Sequence, residues 1–373
     1  MYRLSRAWLA VLFGICLIVS LAEAQTSAPV KGESHPVVFR TQTMGTWASL
    51  TLVTSDSASV ANLAYEALLV LHHVDSLMSN WTEISEVARI NRDAGLGETV
   101  VHPEVATVLT YALQVGQESR GAFDITIEPL VRLWGFLRGP PRVPQQEEIV
   151  ATLELVGPDK IHFDAESGTI TFTRDGIKVD LGGIAKGYGV DRVADLLRND
   201  HATNTPDTFV ALNALIDLSG NMVALGNAPG REGWAVGIRD PSGEHSYLAR
   251  IHLYNEAVAT SGNYEQFVSS EGQCFGHILD PRTGWPAQGL GSVTVVAAQA
   301  MVADAWATAL FVLGPEAARQ AAHDREDLAA VLVEPVNVDA DEPENLVFWV
   351  EEQLRDRFEI KNELTDQAVV HYF

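Results

Sequence analysis

Cysteine is nearly absent: the 373 residues hold two, Cys16 and Cys274, too few for a disulfide framework. If the amino-terminal segment is removed, only Cys274 remains and no internal disulfide can form. An exported body of this size must then be held by its apolar core. Basic residues are also scarce, with 25 Lys and Arg against 49 Asp and Glu and a formal net charge of −24. That balance argues against nucleic acid and anionic lipid as partners. It also means that an anionic ligand needs a local positive site or a metal ion. The chain has no repeat of fixed period and no low-complexity tract.

The one long apolar run lies at the start. Arg3 and Arg6 precede an apolar stretch over 9–21, and Ala22-Glu23-Ala24 follows as an A-x-A cleavage site. Residues 1–24 read as a secretory signal peptide, too short for a comfortable membrane span. The mature protein is expected to begin at Gln25 in the periplasm, with 25–36 as a flexible tether. An uncleaved anchor in the inner membrane, facing the periplasm, is the alternative.

Further on, apolar periodicity predicts a strand over 39–53 interrupted at Met44-Gly45-Thr46, then a helix over 59–78. His72 and His73 fall on or beside the apolar face of that helix and read as packed or exposed histidines before a metal pair. Helices are expected over 83–91, 103–120 and 147–155, and a hairpin over 161–163 and 169–173. A β-branched strand over 177–181 leads into Gly182-Gly183 and a helix over 184–198. Short strands follow over 209–218, 222–225, 234–239, 249–254, 257–260 and 292–296, with a small-residue helix from Ala300 to a stop at Gly314-Pro315. Helix and strand mix without regular βαβ alternation, so the fold class is α+β. A last helix is expected over 346–358.

Four places carry chemistry. A strand, a Gly182-Gly183 turn and a helix entry can offer backbone N–H groups and a positive helix end to a phosphate, with Lys186 adding a charge. The plain alternative is a tight connection with no ligand. Asp304 and Thr308 are four apart on one face of an apolar helix and are hard oxygen ligands suited to Mg²⁺. Against that, Thr308 could bond its own helix and Asp304 could face solvent. His277, before the Asp280-Pro281 turn, can move a proton at neutral pH, or can be an ordinary strand histidine. The hydroxyls and glycine of Thr260-Ser261-Gly262 suit phosphate or ribose.

Taken in order, these segments resemble the ApbE family, the FAD:protein FMN transferases. The matching pieces are Met44-Gly-Thr46, Ser85 to Asn91, Gly121-Ala-Phe-Asp124 with Pro129-Leu130, and Asp180-Leu-Gly-Gly-Ile-Ala-Lys-Gly187. They continue with Ser219-Gly-Asn221, Val258-Ala-Thr-Ser-Gly262, His277 to Gly284, and Asp304 through Thr308. Three positions depart from the family's habit: Ser219 for glycine, Gly276 for serine and Ile125 for proline.

The resemblance implies an α+β arrangement of mixed sheets flanked by helices, related to the T-fold. It implies one catalytic unit over 37–340 and a carboxy-terminal tail with one helix over 341–373. The activity implied is transfer of FMN from FAD to a threonine of a target protein, through a phosphodiester, with release of AMP and dependence on Mg²⁺. By resemblance, Asp304, Thr308 and the Ala185 carbonyl hold Mg²⁺, and His277 is the catalytic histidine. Gly182, Gly183, Thr260, Ser261 and Gly262 lie along the FAD phosphates, Met44 against the flavin, and Asn91 near the phosphates. Asp180 and Lys186 shape the site. The acceptor implied is a membrane respiratory subunit. An FAD pyrophosphatase yielding FMN and AMP, and a non-catalytic periplasmic flavin-binding protein, are the other functions open at this point.

Overall fold

The structure is a computed structural model that describes residues 34–204, 212–263, 267–270, 273–334 and 346–373. The expected signal peptide and most of the tether lie outside the described residues. Among the described residues, nine strands form the main sheet, and their order in space follows their order in the chain. They are β1 His35–Thr43, β2 Thr46–Thr54, β3 Ala214–Leu218, β4 Asn221–Leu225, β5 Glu256–Gly262, β6 Ser292–Ala297, β7 Leu328–Val333, β8 Leu346–Val350 and β9 Ala368–Tyr372. Neighbours are antiparallel except β8 and β9, which are parallel. This is a meander with long insertions, which is why the sequence shows no βαβ rhythm.

Among the described residues, the insertion between β2 and β3 holds six α-helices: α1 Ala61–Met78, α2 Glu86–Asp93, α3 Pro103–Glu118, α4 Glu128–Leu133, α5 Gln146–Leu153 and α6 Ala185–Asn204. It also holds a small sheet of Thr99–Val100, Thr169–Phe172 and Ile161–Asp164. Helices α7 Ala300–Leu313 and α8 Pro315–His323 connect β6 to β7. A second three-stranded sheet, Trp234–Ile238, Ala249–Leu253 and Phe358–Ile360, covers the other face of the main sheet.

The period-two rule explains the two cores. Along β5 and β6, Ala259, Val293 and Val295 enter a core shared with α3, α6 and α7. Val258 and Val296 enter the core beneath the second three-stranded sheet, with Trp234, Ile251 and Phe358. β6 and β7 are buried on both faces, and β7 accordingly reads as a continuous apolar run, whereas β6 buries Ser292 and Thr294 among its valines.

Two expectations are corrected. Residues 177–181 form no strand, although Ile177, Val179 and Leu181 are fully buried. The Asn91 side chain replaces the neighbouring strand: its Oδ1 accepts from Val179 N–H at 2.7 Å and its Nδ2 donates to Val179 C=O at 2.8 Å. The helix expected over 346–358 is instead β8, a 3₁₀ turn Glu352–Arg357 and the strand Phe358–Ile360. Leu346, Val350, Leu354 and Phe358 recur every four residues as on a helix, but Leu346, Phe348 and Val350 alternate with period two, and the β-branched and aromatic content of β8 decides for strand. The segment is no separate tail, because β8 and β9 complete the main sheet.

Candidate active site

A cavity of about 330 Å³ opens between the β1–β2 turn, the starts of α6 and α7, the end of β5 and the segment around His277. Met44, Asp180, Gly182, Gly183, Ala185, Lys186, Thr260, Ser261, Gly262, His277, Asp304 and Thr308 all line it. Asn91 is not among the lining residues. Its carboxamide is spent on Val179 and on Asn80 Oδ1, so it braces the backbone that leads to Asp180.

The side-chain oxygens of Asp304 and Thr308 are placed by contact between α6 and α7. A Cβ on Gly187 would lie 2.2 Å from the Ala300 carbonyl oxygen and 2.8 Å from Asp304 Cβ. Only glycine admits α7 this close. The Gly187 N–H then donates to Asp304 Oδ2 at 2.9 Å, and Asp304 is 5% exposed, so it does not face solvent. One turn on, Thr308 Oγ1 lies 3.2 Å from Ser261 Oγ on β5. A Cβ on Gly183 would sit 3.4 Å from Thr308 Oγ1 and 3.2 Å from the Phe123 ring, which leaves the Gly182-Gly183 backbone against the threonine.

That turn is less open to anions than its sequence suggests. Gly182 N–H donates to Asp180 Oδ1 at 2.6 Å, and Ile184 and Ala185 N–H both donate to Leu181 C=O. Burial pushes the Asp180 carboxyl above the usual carboxylate range, against the pull of the Gly182 N–H. Asp124, capping the Ile125–Ile127 turn through Thr126, is raised by burial as well. Asp75, Asp124, Asp180 and Asp304 therefore line a cavity whose one lysine or arginine, among the described residues, is Lys186. Lys186 Nζ is 3.5 Å from Gly182 C=O, beside the turn.

Thr260 needs a correction of direction. It pairs with Thr294 across β5 and β6, and alternation puts both on the face beneath the second three-stranded sheet, with Val258 and Val296. Their hydroxyls meet at 2.9 Å. Ser261, on the opposite face, carries the hydroxyl toward Thr308.

Met44 and Gly45 form the two-residue β1–β2 turn with φ of +49° and +73°, the signs of a type I′ turn. Asparagine-glycine is the usual choice there, so a methionine is strained by about 1 kcal/mol or more. Asp75 Oδ2 holds the strained residue by accepting from Met44 N–H at 3.0 Å. His277 follows the short strand Gln273–Gly276, and its ring meets Phe136 edge to face at 6.4 Å. Its Nδ1 is buried, so exchange with a group in the cavity falls to Nε2. His72 and His73 serve elsewhere: His72 bonds Thr41 and His73 bonds Glu104.

Ser219 sits at φ +53°, a position where the glycine usual in the family is free of strain. A Cβ on Gly276 would come within 2.1 Å of the Asn263 side chain, so a serine there would displace Asn263.

Sequence reasoning missed Asp75, Asn80, Trp81, Phe136 and the lining role of Asn221. A carboxylate beside Leu71, Val74 and Met78 on a buried helix face was a usable signal for Asp75. Asn221 is almost wholly buried, and its Oδ1 has no hydrogen-bond partner among the described residues. Trp81 is 57% exposed at the cavity, a large apolar surface left to solvent.

Residues 44–332 match the model of the ApbE family. The FAD:protein FMN transferase of Haemophilus influenzae is 32% identical over 326 residues, covering 85% of this chain and 91% of that protein. One from Klebsiella pneumoniae is 30% identical over 353 residues, covering 93% of this chain and 96% of that protein. Among solved structures, the flavin transferase ApbE from Vibrio cholerae superposes with a TM-score of 0.73 at 27% identity, covering 87% of this chain and 99% of that one.

Proposed function

The chain belongs to the ApbE family, and from that premise we propose that it hands the FMN half of FAD to a threonine hydroxyl of an acceptor protein. It is a transferase that moves flavin from FAD to protein. The observation that carries the reading is the meeting of His277, Asp304, Thr308 and the Gly182-Gly183 turn in one cavity.

The reaction exchanges one phosphate ester for another. The threonine oxygen bonds to the phosphorus on the FMN side, and the bond from that phosphorus to the bridging oxygen breaks. AMP leaves with that oxygen and the bonding electron pair. The hydroxyl proton passes to His277 Nε2. Such transfer needs alignment and charge neutralisation more than covalent help from the enzyme.

The residues fit Mg²⁺. Among the described residues no trio of His, Cys, Asp or Glu converges on a metal position. The donors are one buried carboxylate, Asp304, with the Thr308 hydroxyl and the Ala185 carbonyl, a hard oxygen set that phosphate and water would complete. Four carboxylates facing one lysine repel a pyrophosphate dianion, and a bound cation would supply the missing positive charge. Lys186 adds to it, and Met44 and Phe136 offer apolar surface for the flavin ring.

Export to the periplasm, on the strength of Arg3, Arg6 and Ala22-Glu23-Ala24, belongs to the same proposal, with a membrane respiratory subunit as acceptor. Purified protein incubated with FAD and Mg²⁺, with and without a threonine-bearing acceptor, tests it. Fluorescent acceptor on a denaturing gel, together with AMP release that depends on acceptor, is expected. AMP release indifferent to acceptor would make the protein a pyrophosphatase, and FAD binding with no AMP would make it a binding protein.

A further inference from the structure

Helix α7 carries two of the three proposed metal ligands, yet its own N-cap, Gln299, makes no side-chain capping bond. The cap comes from another helix. Asp191 on α6 accepts from Ala300 N–H with Oδ1 and from Met301 N–H with Oδ2, each at 2.8 Å. One turn earlier on α6, Gly187 N–H donates to Asp304 Oδ2 at 2.9 Å. Gly187 and Asp191 are one helical turn apart, and so are Ala300 and Asp304. The helices thus exchange bonds in both directions: a carboxylate of α6 grips the α7 backbone, and a carboxylate of α7 grips the α6 backbone.

We infer that Asp191 is a positioning residue for the cation site, fixing the slide and rotation of α7 against α6. Through that clasp it sets where Asp304 and Thr308 stand relative to the Ala185 carbonyl at the start of α6. The inference rests on the metal reading proposed above. Asp191 does not line the cavity and touches no substrate, so it acts only through the helices. A single capping bond would fix one point of contact between the two helices. Two bonds from one carboxylate, with Asp304 closing the far corner, leave it one seating. No side chain intervenes at Gly187, where the helices meet backbone to backbone.

The test measures cation binding apart from turnover. Mn²⁺ is titrated into flavin-free protein and followed by the loss of its free-ion electron paramagnetic resonance signal, for wild type, Asp191→Ala and Asp191→Asn. FAD binding in EDTA and thermal unfolding are measured in parallel. A core variant remote from the clasp, Val331→Ala, serves as a control for lost stability. Asp191→Ala is expected to weaken Mn²⁺ binding at least tenfold while FAD binding in EDTA stays within twofold. Asp191→Asn, nearly isosteric and keeping one acceptor oxygen, should fall between and carries the test if the alanine variant does not fold. Val331→Ala should keep wild-type Mn²⁺ affinity. Unchanged Mn²⁺ affinity in both Asp191 variants, or an equal loss in Val331→Ala, overturns the inference. Absence of Mn²⁺ uptake by the wild type overturns the metal reading itself.

Discussion

Gly187 and Asp304, 117 positions apart in the chain, are joined by a 2.9 Å hydrogen bond from the glycine N–H to the aspartate Oδ2. The bond makes sense of two residues at once. A glycine inside a helix costs about 1 kcal/mol relative to alanine, and here it allows a carboxylate on the next helix to reach the backbone. A buried aspartate costs more unless it is hydrogen-bonded, and here the donor is supplied by that backbone.

Two substitutions probe the pair. Asp304→Asn keeps an acceptor for Gly187 and removes the charge, so the fold should survive while Mg²⁺-dependent turnover is lost. Gly187→Ala should do both kinds of damage, because its Cβ would strike the Ala300 carbonyl and push α7 away. A loss of about 1–3 kcal/mol is the usual scale for such overpacking. Thermal melts and turnover against Mg²⁺ concentration check both. Near-normal turnover of Asp304→Asn at limiting Mg²⁺ would place the cation elsewhere.

His277→Ala separates chemistry from binding. Removal of a positioned acid–base group lowers the transfer rate by roughly 10²-fold or more. FAD affinity should barely change, because the imidazole is assigned to the reacting hydroxyl. Single-turnover rates at saturating FAD, with affinity measured by flavin fluorescence, decide the matter. A weakly binding variant with a normal saturated rate would move His277 to the binding set.

The site was more legible in the sequence than the paths that hold it. Glycines, an aspartate and threonine at helical spacing and a histidine before Asp-Pro mark chemistry through residue type, and all of these do line the cavity. Asn91 was placed near the phosphates by family resemblance alone, and its bonds go to Val179, which no spacing rule could show. The sheet was legible strand by strand from β1 to β6. β8 was misread because Leu346, Val350, Leu354 and Phe358 recur at helical spacing, while Leu346, Phe348 and Val350 carry the period-two pattern that pairing with β7 and β9 uses.

Asp191 gives the stability a pH dependence whose sign can be worked out. Burial pushes its carboxyl up to about 6, partly opposed by the N–H groups of Met301 and Ala300. A carboxyl with a higher pKa folded than unfolded binds protons more tightly in the fold. Its contribution is complete below the ordinary range of about 4 and is withdrawn as pH rises through about 6. Wild type should therefore lose stability relative to Asp191→Asn between those values. Urea midpoints of the two proteins across that window measure it, and a difference that does not vary with pH would refute the assignment.

The last prediction concerns water. Transfer requires that water at its high concentration be badly placed in the site, and the family resemblance ties that property to Asn91. In the structure Asn91 braces Val179, and Val179 leads directly to Asp180 at the cavity wall. Asn91→Ala leaves the buried Val179 N–H without its acceptor, a loss of about 1–3 kcal/mol. It should slow FAD hydrolysis and FMN transfer together, because it loosens the backbone that both reactions use. Wild type alone should release AMP slowly, and much faster once an acceptor threonine is supplied. AMP and fluorescent acceptor, quantified in the same reactions, give the ratio of the two outcomes. If Asn91→Ala raises hydrolysis while transfer holds, the asparagine governs water directly, and its bonds to Val179 are not the whole of its role.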